Sequence, residues 1–394
     1  MKISLLIFAA VFPVLLTGQE QPAKRGEPGQ DFIFRKVLRT QGDEGIHTCR
    51  IPGLATSTKG TLLSVFDLRH KSAADLPADI DVGLMRSTDN GDTWSKVQRI
   101  LDMDSRVPGS MGNGVGDPAI LVDTKTGAIF VLALHSLGNR AWHGSGPGLR
   151  ETETGQLVMV KSTDDGLTWT KPTSLTMQVK HPAWHLCFNG PGSGICMRDG
   201  TLVFPAQYRD LEKAPRSCFL FSTDHGQSWD ISPPAMNSAS PPSESAVVEL
   251  DDGSLLLSMR DEQHGGERLW ARWEWKDGLE NGKWSIPWHH VPDPTCMASL
   301  IRHPDGLLLF SNPDSRLRRE SLTIRASNNN GLTWPTKRLL DPRPCAYSCM
   351  TILRDGRIGI LYETGDKSPF QTLTFARFPV DWVLNDSSDE EPGK

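Results

Sequence analysis

No C-x-x-C, no H-E-x-x-H and no comparable spacing of ligand residues occurs in this chain, so neither a dedicated metal site nor a cofactor is expected. The seven cysteines (Cys49, Cys187, Cys196, Cys218, Cys296, Cys345 and Cys349) are odd in number and scattered. A chain of 394 residues has core enough without a disulfide framework, and buried free thiols are the expectation. Positive charge is not in excess either. Forty-two Lys and Arg against 47 Asp and Glu give a net charge of −5, which offers nucleic acid no basic footprint. After the first residues no apolar run approaches the ~20 needed to span a bilayer, and no amphipathic helix of useful length is visible. Tyrosine is scarce, with three residues beside twelve tryptophans.

Four of those tryptophans close one recurring pattern. It reads Ser87-Thr-Asp-Asn-Gly-Asp-Thr-Trp94, Ser162-Thr-Asp-Asp-Gly-Leu-Thr-Trp169, Ser222-Thr-Asp-His-Gly-Gln-Ser-Trp229 and, with asparagines, Ser327-Asn-Asn-Asn-Gly-Leu-Thr-Trp334. Starts 75, 60 and 105 residues apart rule out a tandem peptide and point to one turn inside larger units. Ser and Asp can hydrogen-bond nearby backbone, Gly supplies positive φ, and Trp can pack on the flanking strands. Asn can make the same Asx-type turn. These boxes are expected to build scaffold and to carry no chemistry.

The N-terminus has the form of a secretory signal: Lys2, then an apolar run from Ile3 to Leu16 broken only by Pro13, then the small residues Thr17 and Gly18. Residues 1–18 are therefore expected to be removed from a secreted or periplasmic protein. From residue 31 onward, short apolar runs bounded by Gly, Asp or Pro dominate. Six begin at Gly60, Gly127, Gly200, Gly253, Gly306 and Gly356, and four of these glycines follow Asp199, Asp252, Asp305 or Asp355. Asp-Gly before a β run is a hairpin signal. Six similar units predict an all-β chain folded as a six-bladed β-propeller over residues 31–380. The run from Phe32 to Leu38 is expected to close the ring beside Leu373 to Phe378. The acidic, apolar-poor segment 385–394 is expected to be disordered.

At one end of a propeller's channel, polar side chains from distant blades converge, so charged residues at strand ends carry the interest. Arg50 opens the first strand, Arg260 ends Ser254-Leu-Leu-Leu-Ser-Met-Arg260, and Arg319 precedes Leu322-Thr-Ile324. Singly, each reads as a surface residue. Arg50-Ile-Pro-Gly-Leu54 followed by the boxes resembles the bacterial-type exo-α-sialidase (neuraminidase) family, and the resemblance covers residues 31 to 380. It extends through Asp75-Leu-Pro-Ala-Asp-Ile-Asp81, Gly116-Asp117-Pro118, Glu244-Ser-Ala-Val-Val-Glu249, Met259-Arg260-Asp261, Ser311-Asn-Pro313, Tyr347-Ser-Cys-Met350 and Leu361-Tyr362-Glu363.

That resemblance implies a role for each position. Arg50, Arg260 and Arg319 match the triad that grips the substrate carboxylate, a task suited to the planar, permanently charged guanidinium fork. Tyr347 matches the nucleophile and Glu244 the carboxylate that activates it, since a phenol with a pKa near ~10 is a poor nucleophile alone. In sialidases generally, a tyrosine stands where most glycosidases use a carboxylate. Asp75 matches the acid/base that protonates the leaving oxygen, with Asp79 and Asp81 as neighbouring alternatives. Glu363 matches the carboxylate that orients Arg50. Asp117 either lines the substrate site or is a turn residue before Pro118. Trp142, Trp184 and Phe188 either receive an acyl-amino group or pack the core. His181 and His185 have no Cys or Ser nucleophile at useful spacing.

The expectation is a monomeric, metal-independent, retaining exo-α-sialidase acting on terminal sialic acid of a sialylated glycan. It would have no nucleic-acid partner and no membrane span. Two alternatives stay open at this point. One is a non-catalytic propeller that binds carbohydrate or protein; the other is a relative that traps or transfers the sialyl group.

Overall fold

The computed structural model describes residues 33–103, 113–235, 241–263 and 265–385. The expected signal segment and residues 386–394 of the acidic tail lie outside them. Within them the regular secondary structure is nearly all strand. The longest described helix is the five-residue Val380–Leu384, and none is long and apolar enough to cross a membrane.

Most strands pair antiparallel with their sequence neighbours into sheets, while Gly192–Ser193 adds parallel to Gly114–Val122. The first sheet holds Thr48–Thr56, Leu62–Arg69, Ile80–Ser87 and Gln98–Leu101. The second is built on Gly114–Val122, Ile129–Ser136 and Gln156–Ser162. Leu202–Arg209 with Pro215–Ser222 centre the third, and Pro242–Glu249, Leu255–Asp261 and Glu267–Glu274 the fourth. The last sheet has seven strands, because Thr336–Ile352 runs through two groups. Its first part pairs with Glu320–Ser327 and its second with Ile358–Thr364. Phe34–Thr40 adds to the far edge beside Thr372–Phe378, as expected, with Phe34 opposite Arg377 and Thr40 opposite Thr372.

Successive side chains of a strand point to opposite faces. In Ile129–Ser136, Phe130, Leu132 and Leu134 pack with Phe204 and Leu220, while Ile129, Val131 and Ala133 pack with Leu63 and Leu84. Burial on both faces is why these strands read as unbroken apolar runs. The same sharing continues around the chain: Phe219 with Leu257, Leu256 with Phe310, and Ile324 with Ile360. A further cluster joins Leu54, Leu62 and Phe66 of the first sheet to Leu361, Leu373 and Phe375 of the last, so the succession closes on itself.

The box turns lie on one edge of the sheets. Ser87 Oγ donates to Asp89 Oδ1 (2.7 Å) and accepts from the Gly91 N–H (2.8 Å). Asp89 accepts from the Thr93 N–H and hydroxyl (2.9 and 2.5 Å). The second and third boxes repeat this set. In the fourth, Asn329 Oδ1 accepts from Ser327 and the Thr333 N–H while its Nδ2 donates to the Thr333 hydroxyl, so the amide reproduces the turn. Gly91 adopts φ 92°, and a Cβ there would meet the Phe375 ring at 2.2 Å. The Trp94 ring meets Phe375 edge-on, 5.3 Å between centroids. The turn thus seats the first sheet on the last. The glycines of all six predicted hairpins also take positive φ and share that edge, which leaves the connections after each second strand on the opposite one.

Candidate active site

Four of the expected site residues come from the strands Thr48–Thr56, Gly114–Val122, Pro242–Glu249 and Thr336–Ile352, each where the ladder register slips. Arg50 sits at the slip before Gly53, Asp117 at the one before Ala119, Glu244 at the one before Ser245 and Tyr347 at the one before Ser348. An extra residue bends the strand and re-aims its side chain. Ile51 and Asp117 take left-handed backbone (φ 58° and 57°), unusual for non-glycine residues, and each precedes a proline. Both turned amides find a carboxylate: Ile51 N–H donates to Glu363 Oε1 (2.8 Å) and Asp117 N–H to Asp67 Oδ1 (2.9 Å). Arg260 and Glu363 end second strands, Arg319 precedes a third strand, and Asp75 lies between the strands Leu62–Arg69 and Ile80–Ser87. All of them therefore emerge on the edge away from the boxes.

They surround a cavity of about 540 Å³ whose walls include Arg50, Asp75, Asp117, Glu244, Arg260, Arg319 and Tyr347. The Tyr347 hydroxyl lies 2.6 Å from both Glu244 oxygens and donates to that carboxylate. Arg260 Nη1 donates to Glu244 Oε2 (2.9 Å) and to the Tyr347 oxygen (3.2 Å). Burial, then the Glu244 carboxylate, push the phenol pKa well above its usual value; Arg260 and Arg319 oppose this without reversing it. The phenol is therefore neutral and keeps its proton on the Glu244 side.

Glu363 is fully buried and holds the tyrosine's own backbone. It accepts from Arg50 Nε (3.1 Å), from Ile51 N–H and from the Tyr347 N–H (3.2 Å). Arg50 is stacked against the Phe370 ring, 3.9 Å from its centroid. Asp75 stands at the mouth with its side chain 73 % exposed, accepting from Arg69 Nη1 (2.7 Å) and Arg50 Nη1 (3.3 Å). What desolvation it suffers raises its pKa, but Arg69 and Arg50 outweigh that and hold the carboxyl below its usual range. Its sequence neighbours are engaged elsewhere: Asp79 with Lys71, and Asp81 with His70 and Arg99. Asp117 lines the cavity, and burial followed by the Asp67 and Asp75 charges raises its pKa well above the ordinary value.

Trp142 and Phe188 line the cavity, whereas Trp184 stacks on Tyr208 at 3.7 Å, away from it. His185 contacts the Ser145 carbonyl, and His181 packs on Trp184. Sequence reasoning did not single out Asp67, Arg69, Glu262 or Phe370. Arg69 Nε and Nη2 donate to Asp67 Oδ2 (3.0 and 2.9 Å), both side chains being buried, and Glu262 lies 2.9 Å from Arg260 Nε. Asp67 and Arg69 had a signal: two charges, i and i+2, ending an otherwise apolar strand. All seven cysteines are free, six of them buried, and no group of three or more His, Cys, Asp or Glu that could hold a metal occurs among the described residues.

The BNR repeat-like domain family matches residues 70–360. Among curated relatives, a sialidase of Bacteroides fragilis is 42 % identical over 86 % of this chain, and one of Micromonospora viridifaciens 32 % identical over 90 %. This chain spans only 64 % and 55 % of their respective lengths. Of solved structures, a Hadza microbial sialidase superposes with a TM-score of 0.80 at 40 % identity, covering 89 % of this chain and 69 % of that one. The intramolecular trans-sialidase of Ruminococcus gnavus has the same fold (TM-score 0.76, 19 % identity, 89 % and 98 % coverage).

Proposed function

This chain belongs to the bacterial-type sialidase family with BNR-like repeats, and on that premise we propose that it is a retaining exo-α-sialidase. Its substrate would be a terminal α-linked sialic acid on a glycoconjugate or oligosaccharide. The observation that carries the reading is the Tyr347 hydroxyl, 2.6 Å from Glu244 and flanked by three arginines that converge on one cavity. A neutral phenol approaches an anionic sugar more easily than a carboxylate would, and three guanidinium groups around a cavity call for an anion.

In the reaction we propose, Arg50, Arg260 and Arg319 hold the substrate carboxylate. The Tyr347 oxygen attacks the anomeric carbon as its proton passes to Glu244, while Arg260 balances the charge on both. Asp75 gives a proton to the departing glycosidic oxygen. Its lowered pKa in the free protein fits this role if binding changes its company. A substrate carboxylate that engages Arg50 weakens one of its cationic partners and brings a new anion close, and both effects raise the pKa. In the second half Asp75 takes a proton from water, which attacks the anomeric carbon and breaks its bond to the Tyr347 oxygen. Glu244 returns its proton to Tyr347.

We also infer a six-bladed propeller, counting the two parts of Thr336–Ile352 as strands of separate four-stranded blades, the last completed by Phe34–Thr40. Export through the segment 1–18, and action as a monomer, belong to the same proposal. Sequencing the N-terminus of the secreted protein and measuring its mass in solution test them.

The deciding experiment is incubation with a fluorogenic sialoside, with NMR of the first-formed product. Release of α-sialic acid supports retaining hydrolysis. A β-anomer formed first refutes retention, an internal anhydro product identifies trapping, and no turnover leaves only a binding propeller.

A further inference from the structure

Each arginine of the clamp has a different support. Arg50 leans on Glu363, and Arg260 on Glu244 and Glu262. Arg319 has no carboxylate partner among the described residues; its Nη2 donates to the Thr295 carbonyl at 2.9 Å. Thr295 is itself unusual. It is β-branched, 6 % exposed, and held at φ 55°. Left-handed backbone at such a residue is strained and persists only where the surroundings impose it.

The surroundings are a buried polar cluster. Asp293 Oδ1 accepts from the Cys296 N–H (3.0 Å), which closes a turn around Thr295, and the Asp293 N–H donates to the Gly266 carbonyl (3.1 Å). Asn312 Nδ2 donates to the Pro292 carbonyl (2.7 Å) and to Asp293 Oδ2 (3.2 Å). Arg268 faces Asp293 Oδ2 at 3.7 Å, donates to the Cys296 carbonyl, and anchors its Nε on Ser258 Oγ (2.9 Å). Arg268, Asp293 and Asn312 are at most 1 % exposed. A buried ion pair is a poor way to add stability, because apolar packing usually does as well. This one brackets a single strained residue whose carbonyl accepts from Arg319.

We propose that Arg268, Asp293 and Asn312 are positioning residues: they fix the Asp293–Cys296 turn so that the Thr295 carbonyl sets Arg319, the third arm of the carboxylate clamp. This deepens the sialidase reading above and rests on it. None of the three residues touches the cavity, so their effect must travel through Arg319.

The test is Arg268→Lys, which keeps a positive charge opposite Asp293 but cannot reach Ser258 and the Cys296 carbonyl together. On a sialoside, kcat/KM should fall roughly tenfold. On the methyl ester of the same sialoside, which has no carboxylate to grip, variant and wild type should be equal. In an Arg319→Ala background the Lys substitution should cost nothing more. Equal losses on acid and ester, or additive losses with Arg319→Ala, overturn the proposal. Asn312→Ala goes through the same comparisons if Arg268→Lys does not fold. A variant that matches an active wild type removes the positioning role alone, whereas a wild type that neither binds nor cleaves the sialoside removes the function and the clamp together.

Discussion

At the box edge of the sheets Asp89 accepts two bonds from Thr93, four residues along. The Thr93 hydroxyl and amide hold its carboxyl down to about 2. Asp164 is held at about 2 in the same way by Thr168; at Asp224 a small desolvation penalty is overcome by Ser228, again to about 2. On the opposite edge Asp67 is buried and its pKa is pushed up to about 6 against the pull of Arg69, and Asp117 is also raised, by burial and its carboxylate neighbours. One residue type shifts in opposite directions because its partners differ. A box completes itself within eight residues. The site joins groups as far apart as Arg50 and Glu363, 313 residues along the chain. Self-contained turns supply rigidity, and long-range charge supplies chemistry that no local segment could stabilise.

The sharpest way to break this contrast is to separate rate from stability. Tyr347→Phe should lower kcat by about 10³-fold or more, as loss of a nucleophile does, yet melt close to wild type. Near-normal turnover of a fluorogenic sialoside would return the residue to scaffold. Asp75→Ala comes next. Protonation matters when a sugar alcohol leaves and little when an acidic phenol does. The variant should therefore lose about 10²- to 10⁴-fold on sialyl-oligosaccharides and far less on an activated aryl sialoside. Equal losses, or the selective loss in Asp79→Ala or Asp81→Ala instead, would move the acid elsewhere.

The box edge should answer in the other currency. Gly91→Ala places a Cβ against Phe375 and imposes positive φ on alanine, and should destabilise by about 2 kcal/mol. Its kcat should stay within about twofold of wild type, because no box residue lines the cavity. A rate loss without a fall in melting temperature would contradict the division.

The smallest effects are in pH, and they carry opposite signs. Asp89 has a folded pKa below its unfolded value near ~3.9, so its contribution is present above that value and lost as pH falls toward about 2. Asp89→Asn should flatten that acid loss by lowering stability at pH 7 toward its acid value, while the turn itself persists, as Asn329 shows in the fourth box. Asp117 has a raised folded pKa. It costs nothing below pH ~3.9 and opposes folding increasingly above it, so Asp117→Asn should stabilise at pH 7 and not at pH 3. Melting curves of both variants from pH 3 to pH 7 check the two slopes.

Much of the scaffold was legible. The box turns, the six glycine hairpins and the pairing of residues near 34 with those near 377 were each readable, because turn chemistry and apolar periodicity act over a few residues. Of the eight expected site residues, the three arginines were marked by their place at strand ends, and the other five could be pointed out only by resemblance to a family. Nothing local marks Glu244 as the partner of Tyr347, 103 residues away. Arg69 and Asp67 carried a faint signal at a strand end. Glu262 and Phe370 carried none, since an exposed-looking acid and a loop aromatic acquire meaning only beside Arg260 and Arg50.

What the sequence determined by itself is the strand, the turn and the order of units. Backbone sterics, side-chain caps and alternation are short-range and repeat wherever the pattern repeats. Only the tertiary structure decided which charges meet, how far Asp75 is drawn down by Arg69 and Arg50, and that one long strand, Thr336–Ile352, serves two groups of strands. The reason is physical. Electrostatic energy depends on distance and on the water removed, and both are set when the ring closes and brings the slipped strands to one cavity.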